Sequence, residues 1–305
     1  SSDLFGQNVP TAANPQIFVR VFLRKEKSFE GVIIAIDPNT GKWQRLIEDT
    51  QVFQARVSPD RQTLLFDRDN DGIWKCPIND YKKQVRVLYS GSAPIWSHDG
   101  AHLISRDSKM DGAENWKNSH WKSNSDGTAL VRLPIAEQDE INDWSRDGKR
   151  FVVVSDRHSS DKVGYQLYIM NVEGKEEQRV TKDGLNVYAR FSPDSQHIVY
   201  THLDSEGNNS IRTCRLDGSE QQVIRKSEGE NGRDTVDAAC WSPDGKQLVI
   251  SRFTWNVDEK GEKFRGAGSD HDFHLEIVDI ETKKAKRLHL EDLHPVEISH
   301  PADWR

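Results

Sequence analysis

The chain has 305 residues, with 42 Lys and Arg against 49 Asp and Glu, giving a formal net charge of −7. At 35% hydrophobic and 30% charged residues it offers no window approaching the ~20 consecutive apolar residues of a membrane-spanning helix. The acidic balance speaks against nucleic acid as a partner, the three cysteines are too few for a disulfide framework, and nine Trp, six Tyr and eleven Phe speak against a disordered chain.

In chain order, Ser1 to Asn8 carries neither a basic start nor an apolar stretch, so no secretory signal is read there. The chain begins without Met, which points to processing and leaves export open. Ile17 to Leu23, Val32 to Asp37 and Trp43 to Ile47 read as three strands. A unit then recurs in which a bulky apolar residue is followed by a short polar turn containing Asp. It appears as Val57-Ser58-Pro59-Asp60, Trp96-Ser97-His98-Asp99-Gly100, Trp144-Ser145-Arg146-Asp147-Gly148, Phe191-Ser192-Pro193-Asp194 and Trp241-Ser242-Pro243-Asp244-Gly245. The chain ends on Asp303-Trp304-Arg305, where a sixth anchor stands.

Each internal anchor is followed by a short apolar run: Leu64 to Phe66, Leu103-Ile104, Phe151 to Val154, Ile198 to Tyr200 and Leu248 to Ile250. Runs of this length bounded by turn residues read as strands. A strand–turn–strand unit closes each repeat, starting at Ile34, Cys76, Lys122, Ile169, Thr213 and Val278, with turns such as Asp126-Gly127 and Asp217-Gly218. Four strands per unit, six units and no helical periodicity predict an all-β fold. The expected architecture is one domain over 1–305, a six-bladed β-propeller of four-stranded antiparallel blades. The first copy lacks its innermost strand. Pro301 to Arg305 is expected to supply it, so that the C-terminal strand closes the ring in the N-terminal blade. Cys76 and Cys214 then fall in opposite blades, and Cys240 lies unpaired on an inner strand.

The Ser-Pro-Asp-Gly turn, Ser155-Asp156-Arg157 and Leu167-Tyr168-Ile169-Met170-Asn171 resemble the WD-like propeller repeats of the TolB-type family over nearly the whole chain. TolB also carries an N-terminal domain that engages envelope partners, and nothing in this sequence corresponds to it. Similar repeats precede the hydrolase domain of prolyl oligopeptidases, but no Gly-x-Ser-x-Gly elbow occurs in this sequence. Related propellers also occur in oligogalacturonate lyases, where histidines hold a metal over the pore. A shared fold does not assign function.

By strand alternation the short anchor turns lie on one face. The connections 107–120, 156–166, 201–210, 225–238, 253–273 and 289–301 gather on the other, which is the candidate binding face. Trp116, Trp121 and Trp255 are expected in these connections, either as binding hot spots or as caps on their own insertions. His271, His274 and His300 belong to the same face and are candidate ligands for a divalent transition metal. Asp67, Asp69 and Asp71 form a DxDxDG string, read either as a Ca²⁺ loop or as an Asp-rich turn. Arg56, Asp143, Arg190 and Asp303 precede anchors and are placed at the pore, for ion pairing between blades or for ligand recognition.

These features predict a non-enzymatic propeller, periplasmic or secreted, with the cytoplasm as the alternative compartment. It is expected to be a monomer, without membrane insertion, that binds a protein or glycan through the long-loop face. The rival reading is a metal-assisted polysaccharide lyase or hydrolase built on the loop histidines.

Overall fold

The computed structural model describes residues 15–24, 29–48, 52–110, 116–157, 164–228, 234–254, 256–257, 263–264, 273–290, 293 and 295–305. These residues form six four-stranded antiparallel sheets and a two-stranded ribbon, and no helix occurs among them. Blade 1 contains β1 (Ile17–Arg24), β2 (Phe29–Ile36) and β3 (Trp43–Glu48), and blade 2 contains β4 (Val52–Val57), β5 (Thr63–Arg68), β6 (Gly72–Pro77) and β7 (Val85–Leu88). Blade 3 is β8 (Ser92–Trp96), β9 (His102–Met110), β10 (Trp116–Asn124) and β11 (Val131–Arg132). Blade 4 is β12 (Asp139–Trp144), β13 (Arg150–Ser155), β14 (Gln166–Asn171) and β15 (Gln178–Arg179). Blade 5 is β16 (Leu185–Phe191), β17 (His197–Leu203), β18 (Asn209–Arg215) and β19 (Gln222–Lys226). Blade 6 uses β20 (Asp234–Trp241), β21 (Gln247–Thr254), β24 (His274–Asp279) and β25 (Ala285–Leu288), with β22 (Asn256–Val257) and β23 (Lys263–Phe264) as the ribbon between its middle strands. The last strand, β26 (Pro295–Trp304), returns to blade 1 in the order β26-β1-β2-β3.

Ring closure is therefore as expected from the repeats, with a strand that starts earlier than Pro301. Ile17 pairs with Trp304 and Phe18 with Asp303, and Gln16 and Arg305 exchange backbone hydrogen bonds of 2.6 and 3.0 Å. Closure removes the open edges that would otherwise flank the pore.

Strand alternation explains why the blades stack. On β13, Phe151 and Val153 pack toward blade 3, whereas Val152 and Val154 pack toward blade 5. A blade is thus apolar on both faces, and each of the six interfaces between blades holds its own apolar cluster. Cys76, Cys214 and Cys240 are buried and free, in three different interfaces.

The Ser-x-Asp anchors are built alike. In each, the serine hydroxyl donates to the aspartate two residues on, at 2.5–2.6 Å in all five copies. The same oxygen accepts the amide of the residue five positions on, at 2.8–2.9 Å. The aspartate in turn accepts the amide two residues beyond itself. Such local bonds satisfy the groups of a tight turn as it leaves the sheet. The outer turns use glycine where the blades approach closely. Gly127 and Gly218 have φ of +87° and +81°, and a Cβ there would strike the carbonyl oxygens of Val87 and Val180 in the preceding blade.

Two connections differ from expectation. Residues 107–120 are largely strand: Trp116 pairs with Met110 and Trp121 with Ser105, so β9 and β10 form a long hairpin. The stretch Trp116 to His120 has little apolar alternation, and backbone pairing rather than side-chain pattern makes it a strand. The connection 201–210 is likewise short, with β17 running to Leu203 and β18 starting at Asn209.

Candidate functional site

The inner strands β4, β8, β12, β16 and β20 each slip register before the anchor: between Val52 and Ala55, Ser92 and Ile95, Ile141 and Asp143, Val187 and Arg190, and Val236 and Ala239. The closing strand β26 also slips against β1. A bulge re-aims the side chains at the slip and leaves backbone groups outside the ladder. Here the slipped residues face the central tunnel, and side chains from the second and third strands satisfy the freed backbone. Asp67 accepts the amides of Gln54 and Ala93 at 2.6 and 2.9 Å, the Ser251 hydroxyl accepts that of Ala238 at 3.2 Å, and Thr201 donates to the carbonyl of Asp237 at 2.5 Å. His120 Nε2 accepts the Ile141 amide at 3.2 Å. Burial, with Arg106 adding, pushes His120 down to about 3, so it is a neutral acceptor.

An upper and a lower cavity lie along the tunnel. The upper chamber, toward the long-loop face, has a volume of about 280 Å³. Among the described residues its charged lining is Arg20, Arg56, Arg190 and Glu140, and Phe53 and Tyr188 stand at its rim, 50% and 40% exposed. The lower compartment, toward the anchor turns, is about 60 Å³ and is lined by Asp143, Asp303, Arg146, Arg305 and His98 among others. Arg56, Ile95 and Arg190 line both, and so form the waist between them.

The four residues placed at the pore from sequence, Arg56, Asp143, Arg190 and Asp303, come together there. Arg190 donates to the Asn142 carbonyl at 2.6 Å, and its Nη1 stands 4.0 Å from Asp143. Asp143 accepts the Phe191 amide at 2.9 Å and Asp303 the Val57 amide at 3.3 Å, so each carboxylate clamps the next blade. Burial pushes Asp143 up to about 6 against the pull of Arg56. Burial also lowers Arg56, opposed by Asp303 and then Asp143.

Two acids of the DxDxDG string, Asp67 and Asp71, bond within the fold. Asp67 is buried and bonded to two blades, and burial raises its carboxyl above the usual range against the amides of Ala93 and Gln54. Asp71 pairs with Arg86, and its carbonyl accepts from Trp74 at 3.1 Å. No group of three or more His, Cys, Asp or Glu placed to hold a metal occurs among the described residues. His274 lies on β24 with Nε2 3.7 Å from Glu276, within a network with Arg225 and Arg252. His271 and Trp255 lie outside the described residues, and His300 and Trp116 are placed only as backbone positions on β26 and β10. Trp121 is half-buried on β10, away from both cavities.

Arg20, Phe53, Glu140, Asn142 and Tyr188 were not legible as site residues from the anchors alone. All but Arg20 lie two to four positions before an anchor, inside or beside the bulge, and that offset is the usable signal. Arg20 comes from β1, a second strand, opposite the irregular pairing between Val19 and Val21.

No protein-family model matches the chain. Solved structures similar to it include a protein assigned as TolB from Agrobacterium tumefaciens, with a TM-score of 0.67 and 20% identity over 89% of each chain. The chain has the six-bladed fold found in TolB. TolB from Acinetobacter baumannii gives a TM-score of 0.63 and 15% identity over 88% of this chain and 62% of that one. An oligogalacturonate lyase from Vibrio parahaemolyticus gives 0.57 and 10% over 89% and 78%. At these identities the likeness concerns the fold.

Proposed function

We propose that the chain is a binding propeller that takes a protein partner on its long-loop face and acts by binding rather than catalysis. The observation that carries this reading is the upper chamber: a concave, cationic opening rimmed by the exposed rings of Phe53 and Tyr188. Aromatic side chains beside a desolvated pocket concentrate binding energy. The likeness to TolB supports a protein over a glycan as the partner. Trp116, Trp121, Trp255 and His300 are proposed as a second set of contacts on the same side. The protein is read as a periplasmic or secreted monomer, with the cytoplasm as the alternative. No helix among the described residues is long and apolar enough to cross a membrane.

The second reading, a metal-assisted lyase using His271, His274 and His300, draws on the similarity to oligogalacturonate lyases, one of them described in complex with manganese. Elemental analysis of the purified chain separates the two, because stoichiometric metal supports the lyase. The binding reading is tested by affinity capture with the full chain. A partner held by the wild type should be lost from a Phe53→Ala/Tyr188→Ala variant and kept by Asp126→Ala on the opposite face. Retention by the double variant contradicts it.

A further inference from the structure

The Ser-x-Asp turns share one hydrogen-bond pattern, yet their middle residue differs. It is proline in blades 2, 5 and 6, as Pro59, Pro193 and Pro243, but His98 in blade 3 and Arg146 in blade 4. The turn itself therefore asks for neither a histidine nor an arginine. Both line the lower compartment, where Arg305 joins them from the end of the closing strand in blade 1. The five turns and Asp303 to Arg305, which ring this mouth, all lie among the described residues. Arg146 is half-buried, and its guanidinium makes no hydrogen bond or ion pair among the described residues. Arg305 meets Asp303 through Nε at 3.0 Å. Burial and then the charge of Arg305 hold Arg146 below its usual value, and burial followed by Arg146 and Arg305 does the same to His98. Asp143 and Asp303 line the compartment too, but they also clamp neighbouring blades, accepting the amides of Phe191 at 2.9 Å and Val57 at 3.3 Å. An anion at the mouth relieves the mutual repulsion of the basic groups, and the guanidinium fork matches phosphoryl oxygens.

We propose that the lower mouth is an oxyanion site, in which Arg146, Arg305 and His98 receive a phosphoryl group. The compartment's volume of about 60 Å³ is several times the ~10–15 Å³ that one water requires, so a compact ion enters it. The three residues come from blades 4, 1 and 3, so one bound ion ties the closing strand to two blades across the pore. Binding should therefore stabilise the closed ring. The site lies on the face opposite the proposed partner surface and is independent of it. Free phosphate and the phosphoryl end of a larger molecule offer the same oxygens.

The test is calorimetric titration and thermal scanning of the full chain with inorganic phosphate, N-acetyl-O-phosphoserine amide, and sodium chloride at matched ionic strength. Phosphate should bind and raise the unfolding midpoint, and chloride should do neither. Arg146→Gln should weaken phosphate binding about tenfold. Lys149→Gln, an exposed charge on the same turn that does not line the compartment, should leave it unchanged. Should Arg146→Gln fail to fold, His98→Glu at the exposed mouth sets a negative charge beside the site and should also weaken binding. Phosphoserine binding with the same dependence on Arg146 identifies the phosphoryl end of a larger molecule as the ligand, and binding of phosphate alone identifies the free ion. The proposal is overturned if phosphate does not bind, if chloride raises the midpoint equally, or if phosphate binds unchanged to Arg146→Gln and His98→Glu.

Discussion

The two faces of the disc solve the same problem in different ways. On the anchor-turn face one device is used five times, with a buried serine, an aspartate two residues on, and hydrogen-bond lengths that agree to within 0.1 Å. On the long-loop face the bulged inner strands are satisfied by an aspartate, a serine, a threonine and a histidine in different blades. A tight turn between two strands admits few solutions, so the repeat keeps one. A freed amide needs only some acceptor, so each blade is at liberty to use a different residue and to aim different side chains into the tunnel. Specificity can therefore be written into the bulged strands without disturbing the ring.

The largest effect should come from breaking the ring itself, on which both faces depend. Deleting Pro301 to Arg305 removes the inner end of β26 and Trp304, which packs in the cluster between blades 6 and 1. Loss of one large buried aromatic alone costs about 3–5 kcal/mol, comparable with much of a domain's stability. Thermal scanning should show early, aggregating unfolding, and an unchanged midpoint would mean that β26 does not close the ring.

Asp67→Ala comes next, because it orphans the amides of Gln54 and Ala93 in two blades at once. About 2–3 kcal/mol is expected for buried donors left without an acceptor. Chelator should not reproduce this loss, since Asp67 acts through hydrogen bonds. A midpoint that falls on chelation and recovers with Ca²⁺ would support the calcium reading.

On the opposite face, Ser145→Ala strips the hydroxyl that serves Arg150 and Asp147. It should cost about 1–2 kcal/mol in denaturant titration and leave partner binding intact. Loss of binding there, with binding kept by the Phe53 and Tyr188 variants, would reverse the assignment of the faces.

The smallest effect concerns pH. Asp143 holds its proton more tightly in the folded state, with its pKa raised from 3.8 to about 6. Between those values the native chain binds more protons than the unfolded one, so this group's contribution to stability falls as pH rises through the window. Asp143 is faced by Arg56, Arg190 and Arg305, with Asp303, Arg146, His98 and Cys240 lining the same compartment. Asp143→Asn should flatten this dependence of stability on pH, and an unchanged profile would show that Asp143 does not set it.

The contrast between the faces also explains what could be read from the sequence. Ser-x-Asp recurs because one turn geometry recurs, so the blade count and the closing role of Trp304 were legible from the repeats. The residues just before the anchors line one compartment together, since alternation from Trp144 or Trp304 fixes where Asp143 and Asp303 lie. The upper chamber was not legible, because each bulge inserts residues out of register and no composition rule marks Asn142 or Tyr188 as the one that turns inward. The hydrogen bonds of Asp67 were hidden for a related reason: its carboxylate accepts amides of two blades, a partnership distant in sequence. Trp121 was read as loop because its polar neighbours hide a strand that only the pairing with β9 reveals.

The central claim is that the long-loop face and its chamber are where this propeller meets its partner. Backbone hydrogen exchange on the wild-type chain, with and without the captured partner, tests it most directly. Added protection is expected at residues 53–56, 93–95, 140–142, 188–190 and 238–239, with the anchor turns near Asp60, Asp99, Asp147, Asp194 and Asp244 unchanged. Protection confined to those anchor turns would contradict it.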